Sequence, residues 1–240
     1  MHLLHPQAQE IFAQIELEDR VKRYLNPLRE HHEETYHHVR RVAQLCVDIG
    51  YDNTLKEEQL RYLAYGGLLH DLGKRCVPYN LLSKNARLTP EEIVIMDGHA
   101  RLGFVQLQQF EYPVIPKIVV AHHEYQRRGY PRKGQDRRVC ERRKIVVSDV
   151  PDNRRGQDRR RTQRRQTDAA VITLAQLLAA ADVFDALSQP RAYKPALPLD
   201  KIQEIFTQDY LGARVFAEQV MRRYAPIPKD TNKDKNSCVL

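Results

Sequence analysis

Two pairs of adjacent side chains that bind metals in many proteins each follow an apolar run in this sequence. His70 is followed directly by Asp71, and His122 directly by His123. A buried carboxylate must be paired or bound to a metal, because the cost of removing it from water is otherwise prohibitive. Imidazole and carboxylate are a usual ligand set for zinc, iron or manganese. The His-Asp pair alone fits a buried salt bridge at a helix end equally well.

Three more polar residues lie on the apolar side of predicted helices. Glu34 and His38 are four residues apart and continue toward Val42 and Leu45, so both are expected to face inward. Asp182 lies on a strongly apolar helical segment and is expected to be buried as well. Glu34 and His38 also fit an ordinary same-side helix pair, so their spacing alone does not decide between a structural and a metal-binding role.

The remaining histidines carry weaker signals. His99 follows an apolar stretch, and a single inward histidine is more often a hydrogen-bonded core residue than a metal ligand. The histidine-rich start of the second predicted helix also holds His31, His32 and His37, which we expect on the surface. Ligand assignments in this chain therefore rest on the whole set of residues and not on any one of them.

Helical periodicity runs through most of the chain and predicts an all-α fold. The adjacent residues His70 and Asp71 lie about 100° apart around a helix, so they share a target only at a helix end or between helices. The predicted helices are residues 7–25 and 29–49, one opened by a capping box at 54–57, one opened by Thr89 and Pro90, one around 105–110, one at 115–121, one resuming at Ala169, and one at 199–223.

Positive charge is concentrated in one segment. The chain has 240 residues and a net charge of +8, while residues 132–166 carry 14 Lys/Arg and 5 Asp/Glu, a net of +9. This segment contains two copies of an Arg-rich repeat, at 132–143 and 154–165. High charge and low apolar content predict a disordered insertion over 132–168. Such a segment binds an acidic protein or another anionic partner, or is simply solvated; without aromatic residues, nucleic acid is not favoured.

Cysteine usage and hydropathy indicate a cytoplasmic protein. The four cysteines, Cys46, Cys76, Cys140 and Cys238, include no Cys-x-x-Cys pair, so neither a disulfide framework nor a zinc finger is predicted. The longest apolar run, near 171–181, is interrupted by a glutamine, and we expect no transmembrane segment. The N-terminus lacks the features of a signal peptide.

Taken in order, these residues resemble the HD superfamily of metal-dependent phosphohydrolases, and most closely its HD-GYP branch, which hydrolyses cyclic di-GMP. The resemblance covers about residues 30–205 without the basic insertion. The motifs that carry it are His38-x-x-Arg41-Val42 with Glu34 ahead, His70-Asp71-Leu72-Gly73-Lys74, Pro78, Lys84, Leu88-Thr89, His99, His122-His123-Glu124, Gly129-Tyr130-Pro131, Ala181–Leu187 and Arg191-Ala192-Tyr193-Lys194.

The resemblance implies an HD-domain helical bundle with a basic insertion. It divides the chain into an N-terminal helix at 1–28, an HD/HD-GYP-like domain at 29–225 interrupted by the insertion at 132–168, and a polar tail at 226–240. It also implies two or three divalent ions of iron, manganese or zinc. Asp71 would bridge two ions and Glu34 would serve a third. The full ligand set would be Glu34, His38, His70, Asp71, His99, His122, His123 and Asp182.

The same resemblance implies a phosphodiesterase that hydrolyses cyclic di-GMP with metal-activated water. Lys74 would act beside Asp71 as a donor to the phosphate. Substrate would be bound by Gly129, Tyr130, Pro131, Arg191 and Lys194. The alternatives are an HD-type hydrolase of another nucleotide, and a non-catalytic domain that binds cyclic di-GMP or a partner protein.

Three departures from the HD-GYP pattern bear on substrate choice. The segment 125–128 reads Tyr-Gln-Arg-Arg and is one residue shorter than usual, and the basic insertion follows Pro131. Tyr79 stands where an acidic residue is expected. None of these departures removes a candidate metal ligand. The altered loop is the feature that keeps the non-catalytic alternative open.

Overall fold

Helices make up the secondary structure of the computed structural model, which describes residues 5–125, 159–190 and 196–224. Short 3₁₀ helices at Leu72–Cys76 and His122–Tyr125 follow α4 and α8. The predicted all-α fold is confirmed. The α-helices are α1 (Pro6–Leu17), α2 (Asp19–His31), α3 (Glu33–Asp52), α4 (Glu57–Leu69), α5 (Tyr79–Leu82), α6 (Pro90–Asp97), α7 (His99–Gln106), α8 (Val114–Ala121), α9 (Arg159–Ser188), α10 (Leu199–Asp209) and α11 (Arg214–Tyr224).

The centre of the bundle is the packing of α3 against α4, with α9 lying across both and α8 packed against α4 and α9. Their apolar faces meet in one core that includes Val42, Leu63, Ile118 and Leu178, all fully buried. The N-terminal helices α1 and α2 contribute Phe12 and other side chains to the same core. Burial of these apolar faces holds the helices in place, and the ends of the helices carry the polar residues of the candidate site.

Gly67 sets how closely α3 and α4 approach. A Cβ atom at Gly67 would lie 2.5 Å from the Cα of Ala43, a backbone atom that cannot move aside. At the preceding Gly66, the nearest atom is the Cγ2 of Ile118 at 3.1 Å, the end of a side chain. The two glycines of α4 thus serve different purposes, and only Gly67 is required by the helix crossing.

We therefore expect Gly67→Ala to destabilise the protein by about 1–3 kcal/mol, because α3 and α4 must separate. Gly66→Ala is the matched control, since it makes the same change one residue away against a side chain that can shift. Chemical unfolding of the two variants beside the parent protein measures the difference. Equal midpoints for both variants would contradict this account of the crossing.

The predicted first helix, 7–25, is wrong as a single element, because the chain bends at Glu18 between α1 and α2. The Glu18 backbone is extended (φ −63°, ψ 133°). Its carboxylate accepts hydrogen bonds from the Tyr65 hydroxyl (2.7 Å) and from Arg61 (3.1 Å). These partners lie more than forty residues away, so local periodicity does not reveal the bend. A proline usually ends a helix, but Pro27 lies inside α2.

Several other boundaries also differ from prediction because side chains cap the helices. The helix predicted from residue 29 begins at Glu33, after His32, whose Nδ1 accepts from the Thr35 N–H (3.2 Å). His32 was predicted at the surface and is buried instead. The capping box predicted at 54–57 is wrong by two residues, because Lys56 is the cap of α4.

The helix start predicted at Thr89 and Pro90 is confirmed, and Thr89 also forms a capping box with Glu92. The Thr89 hydroxyl accepts from the Glu92 N–H (3.3 Å), and the Glu92 carboxylate accepts from the Thr89 N–H (2.7 Å). The helix predicted around 105–110 lies earlier, as α7. The helix predicted at 199–223 is two helices, α10 and α11, because the Gln176 side chain accepts from the Ala213 N–H (3.1 Å) at the break.

Helix α9 begins at Arg159, ten residues before the expected start at Ala169. The predicted disorder of 132–168 is therefore wrong for 159–168, while 126–158 and the tail from 225 lie outside the described residues. Ala169–Ser188 is long and apolar enough to cross a membrane by length and composition alone. Its most apolar window is 61% buried inside the protein, as expected of a core helix.

Candidate metal centre

Helix ends bring most of the predicted ligands to one buried place. His70 caps the C-terminus of α4, and Asp71 opens the 3₁₀ helix that follows. Because the α-helix ends here, the side chains of His70 and Asp71 reach the same cluster, as predicted for neighbours at a helix end. His99 begins α7 and His122 caps α8. The buried polar side chains that meet here are His38, His70, Asp71, His99, His122 and Asp182.

The carboxylate of Asp71 lies at the middle of this cluster. Its Oδ1 lies 3.2 Å from His99 Nε2, and its Oδ2 lies 3.6 Å from His38 Nε2. Lys74 Nζ donates a hydrogen bond to Oδ2 at 2.6 Å. The two oxygens of one carboxylate therefore face different imidazoles, an arrangement that suits a ligand shared between two cations.

Two sets of nitrogen ligands flank Asp71. On one side, Asp182 Oδ1 lies 3.1 Å from His38 Nε2 and 3.8 Å from His70 Nε2. On the other side, His99 Nε2 lies 2.9 Å from His123 Nε2. Among the described residues, three groups of side chains could each hold a metal ion, because the possible ligand atoms within each group lie within 4.8 Å of one another. The groups are His38, His70 and Asp71; His70, His122 and Asp182; and His99, His122 and His123.

Three of the imidazoles are oriented in the same way. His70 Nδ1 donates to the Gly67 carbonyl (2.8 Å), His99 Nδ1 to the Met96 carbonyl (2.5 Å) and His122 Nδ1 to the Val119 carbonyl (2.5 Å). A carbonyl only accepts, so the proton must be on Nδ1. Each Nε2 lone pair then points into the cluster, which is the tautomer that a metal ligand needs.

Two of the buried imidazole nitrogens are not explained by hydrogen bonding. Among the described residues, neither His70 Nε2 nor His122 Nε2 has a hydrogen-bond partner. The carboxylate oxygens nearest to His70 Nε2 lie at 3.5 and 3.8 Å, beyond hydrogen-bonding distance. Buried polar atoms are rarely left unpaired. Nitrogen lone pairs that face carboxylates in a buried site fit a cation bound between them.

The ionisation of the carboxylates fits the same interpretation. Burial raises the pKa of a carboxyl group, but the interactions with Lys74, His70 and His99 outweigh burial and hold the pKa of Asp71 well below its usual range. Contacts with His38 and His70 outweigh burial in the same way and lower the pKa of Asp182. Both groups are therefore anionic at neutral pH, as metal-binding carboxylates are.

His122 and His123, on the other side, are neutral at neutral pH. Burial, together with the adjacent imidazole of His123, lowers the pKa of His122 well below its usual range. Burial beside His99 lowers the pKa of His123 to about 4. Neutral imidazole is the form that binds metal ions. The donor set of neutral nitrogens and ionised carboxylates fits divalent zinc, iron or manganese.

The remaining predicted site residues are Glu34 and five residues outside the part of the chain that the structure describes. Glu34 is exposed, so the expectation that it faces inward is wrong. It lies in the first turn of α3, one helical turn before His38, with its side chain toward solvent. Gly129, Tyr130, Pro131, Arg191 and Lys194 lie outside the described residues.

Sequence reasoning gave no role to Asp185, which contacts two residues of α3. Its Oδ2 accepts from His38 Nδ1 at 2.7 Å, and its two oxygens accept from Arg41 at 2.7 and 2.9 Å. The available signal was the spacing of Asp182 and Asp185 on α9, three residues apart and hence on one helix face. The sequence shows this spacing, but it does not show that His38 and Arg41 on α3 are the partners of Asp185.

The family model of the HD domain matches residues 35–187 of this chain. The chain belongs to the HD-domain family. The matched range contains His38, the 70–71 pair, His99, the 122–123 pair and Asp182, and it begins one residue after Glu34.

Relatives of this HD domain carry related names. It is 28% identical over 239 residues to a cyclic di-GMP phosphodiesterase of Thermotoga maritima, covering 96% of this chain and 55% of the relative. It is 27% identical to a 3'3'-cGAMP-specific phosphodiesterase of Vibrio cholerae, over 75% of this chain and 35% of the relative. A cyclic di-GMP phosphodiesterase response regulator of Xanthomonas campestris is 31% identical, over 61% and 31% respectively. The chain thus spans between a third and about half of these relatives.

Proposed function

We propose that this HD domain is a metal-dependent phosphodiesterase acting on a cyclic dinucleotide, with cyclic di-GMP as the first candidate substrate. The observation that carries the proposal is the buried cluster in which unpartnered imidazole nitrogens face two carboxylates. Relatives named as phosphodiesterases of cyclic di-GMP and 3'3'-cGAMP support the substrate class. A cytoplasmic location belongs to the same proposal.

We infer that two divalent ions bind here, with Asp71 as the shared ligand. His38, His70 and Asp182 would hold one ion, and His99, His122 and His123 the other. When bound, such ions supply Lewis acidity toward the phosphate and lower the pKa of water. The chain's own part is to hold these ligands without solvent, since His70 and His122 are 0% and 1% exposed. A third ion at Glu34 remains part of the proposal.

Lys74 is the residue best placed to act on the substrate. Its Nζ lies 2.6 Å from Asp71 Oδ2, and its side chain is 18% exposed, so it lies at the boundary between the buried ligands and solvent. An ammonium group there can donate a hydrogen bond to a phosphate oxygen that approaches from solvent. The pairing with Asp71 holds the group at the ligand cluster before substrate arrives.

The rest of the substrate site is proposed from resemblance. Gly129, Tyr130 and Pro131 would contact the nucleotide, and Arg191 and Lys194 its phosphates. The basic insertion at 132–168 would bind an acidic protein or another anionic partner.

A second candidate substrate is 3'3'-cGAMP. Several relatives bear that name, and the segment 125–128 departs from the HD-GYP pattern close to the proposed nucleotide-binding loop. Metal binding does not discriminate between the two cyclic dinucleotides, because the phosphodiester is the same. The proposed nucleotide-binding loop would contact the bases, so we expect this loop to determine which cyclic dinucleotide is bound.

The experiment that tests the proposal is hydrolysis by the purified chain after chelation and reloading with manganese or iron. Cyclic di-GMP, 3'3'-cGAMP and a panel of other nucleotides serve as substrates, with products separated chromatographically. We expect metal-dependent turnover of at least one cyclic dinucleotide. Turnover of only other nucleotides would favour a different HD hydrolase. Tight cyclic di-GMP binding without turnover by the metal-loaded protein would favour a non-catalytic binding domain.

A further inference from the structure

His38 differs from His70, His99 and His122 in how its ring is held. The other three lie at or next to the C-terminal ends of helices, where backbone carbonyls have no partner within the helix and can accept from Nδ1. His38 lies inside α3, whose carbonyls are used by the helix itself. Another acceptor is therefore needed to set the orientation of this imidazole.

Asp185 is that acceptor. Its Oδ2 lies 2.7 Å from His38 Nδ1, and the side chains of His38 and Asp185 are each 7% exposed. The opposite ring nitrogen of His38 faces Asp182 Oδ1 at 3.1 Å. Two carboxylates one turn apart on α9 thus contact the two nitrogens of one imidazole.

Arg41 fixes the Asp185 carboxylate in turn. Its Nε donates to Oδ1 at 2.7 Å and its terminal nitrogen to Oδ2 at 2.9 Å, a two-point contact that sets the plane of the carboxylate. Arg41 follows His38 by three residues on α3, so the two side chains lie on the same helix face. The Arg41 side chain is 40% exposed, and the Asp185 carboxylate that it contacts is 7% exposed.

We propose that Asp185 is a positioning residue, which keeps the proton of His38 on Nδ1 and so leaves Nε2 to a cation, with Arg41 holding the Asp185 carboxylate in place. The inference rests on the proposed function, since it concerns the same metal centre. Outer contacts of this kind typically change metal affinity by about 10–100-fold. The competing explanation is a plain salt bridge that ties α3 to α9.

The test uses zinc as a diamagnetic probe, so that no turnover is required. In the zinc-loaded protein, histidine nitrogen NMR should show His38 protonated at Nδ1, with slow exchange of that proton. In Asp185→Asn, whose amide can donate as well as accept, we expect faster exchange at His38 and zinc affinity lower by about 10–100-fold in chelator competition. Asp185→Glu should restore part of the affinity.

The matched control is Glu16→Gln. Glu16 accepts two hydrogen bonds from Arg40, the neighbour of Arg41 on α3. The substitution therefore breaks a comparable ion pair away from the candidate metal centre. A purely structural role predicts that both variants lose stability and that neither changes His38. A His38 protonated at Nε2 in the parent protein would overturn the inference even if Asp185→Asn failed to fold. Cyclic dinucleotide assays on the same samples show separately whether the proposed function fails.

Discussion

Replacing Asp71 with alanine should abolish metal binding and hydrolysis together. Asp71 contacts His99 through one oxygen and approaches His38 and Lys74 through the other. Its removal takes away the only carboxylate proposed to be shared by both ions. Loss of several kcal/mol of charge stabilisation corresponds to a fall in turnover on the order of 10³-fold. Metal content by elemental analysis and cyclic dinucleotide hydrolysis are the two measurements.

Asp48→Ala is the matched control for this variant. Asp48 is also a buried aspartate, 1% exposed, but its partners are the His5 N–H and Arg223 at the other end of α3. We expect Asp48→Ala to lower stability, because Arg223 loses one of its carboxylate partners, and to leave the metal content unchanged. Full activity in Asp71→Ala would refute the site assignment. Equal metal loss in both variants would show that buried charge in general, and not this position, is responsible.

Gly73→Ala should be the most damaging glycine substitution near the site. A Cβ atom at Gly73 would lie 1.9 Å from the His99 carbonyl oxygen and 2.7 Å from the Gly103 backbone nitrogen. Both are backbone atoms of α7, so the whole helix must move and take His99 with it. We expect a loss of stability of about 1–3 kcal/mol, together with loss of the ion proposed to bind at His99, His122 and His123.

Gly98→Ala separates this effect from a general cost of losing a glycine. Gly98 directly precedes His99, and a Cβ atom there would meet only the Ile95 carbonyl at 3.3 Å and the Val94 carbonyl at 3.8 Å. Its unfolding midpoint should stay near that of the parent protein. Chemical unfolding and metal content, measured on both variants, decide the matter. A Gly73→Ala protein with parental stability and two bound ions would show that α7 is not held by this contact.

The close contact at Gly73 also explains why a glycine stands in the motif that follows the His-Asp pair. The 3₁₀ helix Leu72–Cys76 lies directly against α7, and Gly73 leaves no room for a Cβ atom beside the His99 carbonyl. The contact brings the chain that carries Asp71 against the helix that carries His99. Asp71 Oδ1 and His99 Nε2 consequently come to 3.2 Å from each other. A small residue in one helix thus sets the distance between two candidate ligands.

Local sequence patterns were enough to predict the residue types of the candidate metal ligands and the helices that carry them. His70 and Asp71 as neighbours required a helix end, and α4 does end at Leu69, directly before them. Asp182 on an apolar helix was predicted to be buried, and it is. These predictions succeed because burial of a helix face and the start or end of a helix are written in residues only a few positions apart.

Tertiary structure alone decided which polar groups meet. His38 and Asp185 lie 147 residues apart in the chain, and Arg41 and Asp185 lie 144 apart, so no local spacing predicts their contacts. The bend at Glu18 depends in the same way on Tyr65, and the burial of His32 depends on its capping of α3. Glu34 shows the converse: helical spacing placed it on the side of His38, yet it is exposed, while Thr35 in the same first turn of α3 is buried. Periodicity defines the side of a helix, but which part of that side is covered depends on the neighbouring helices.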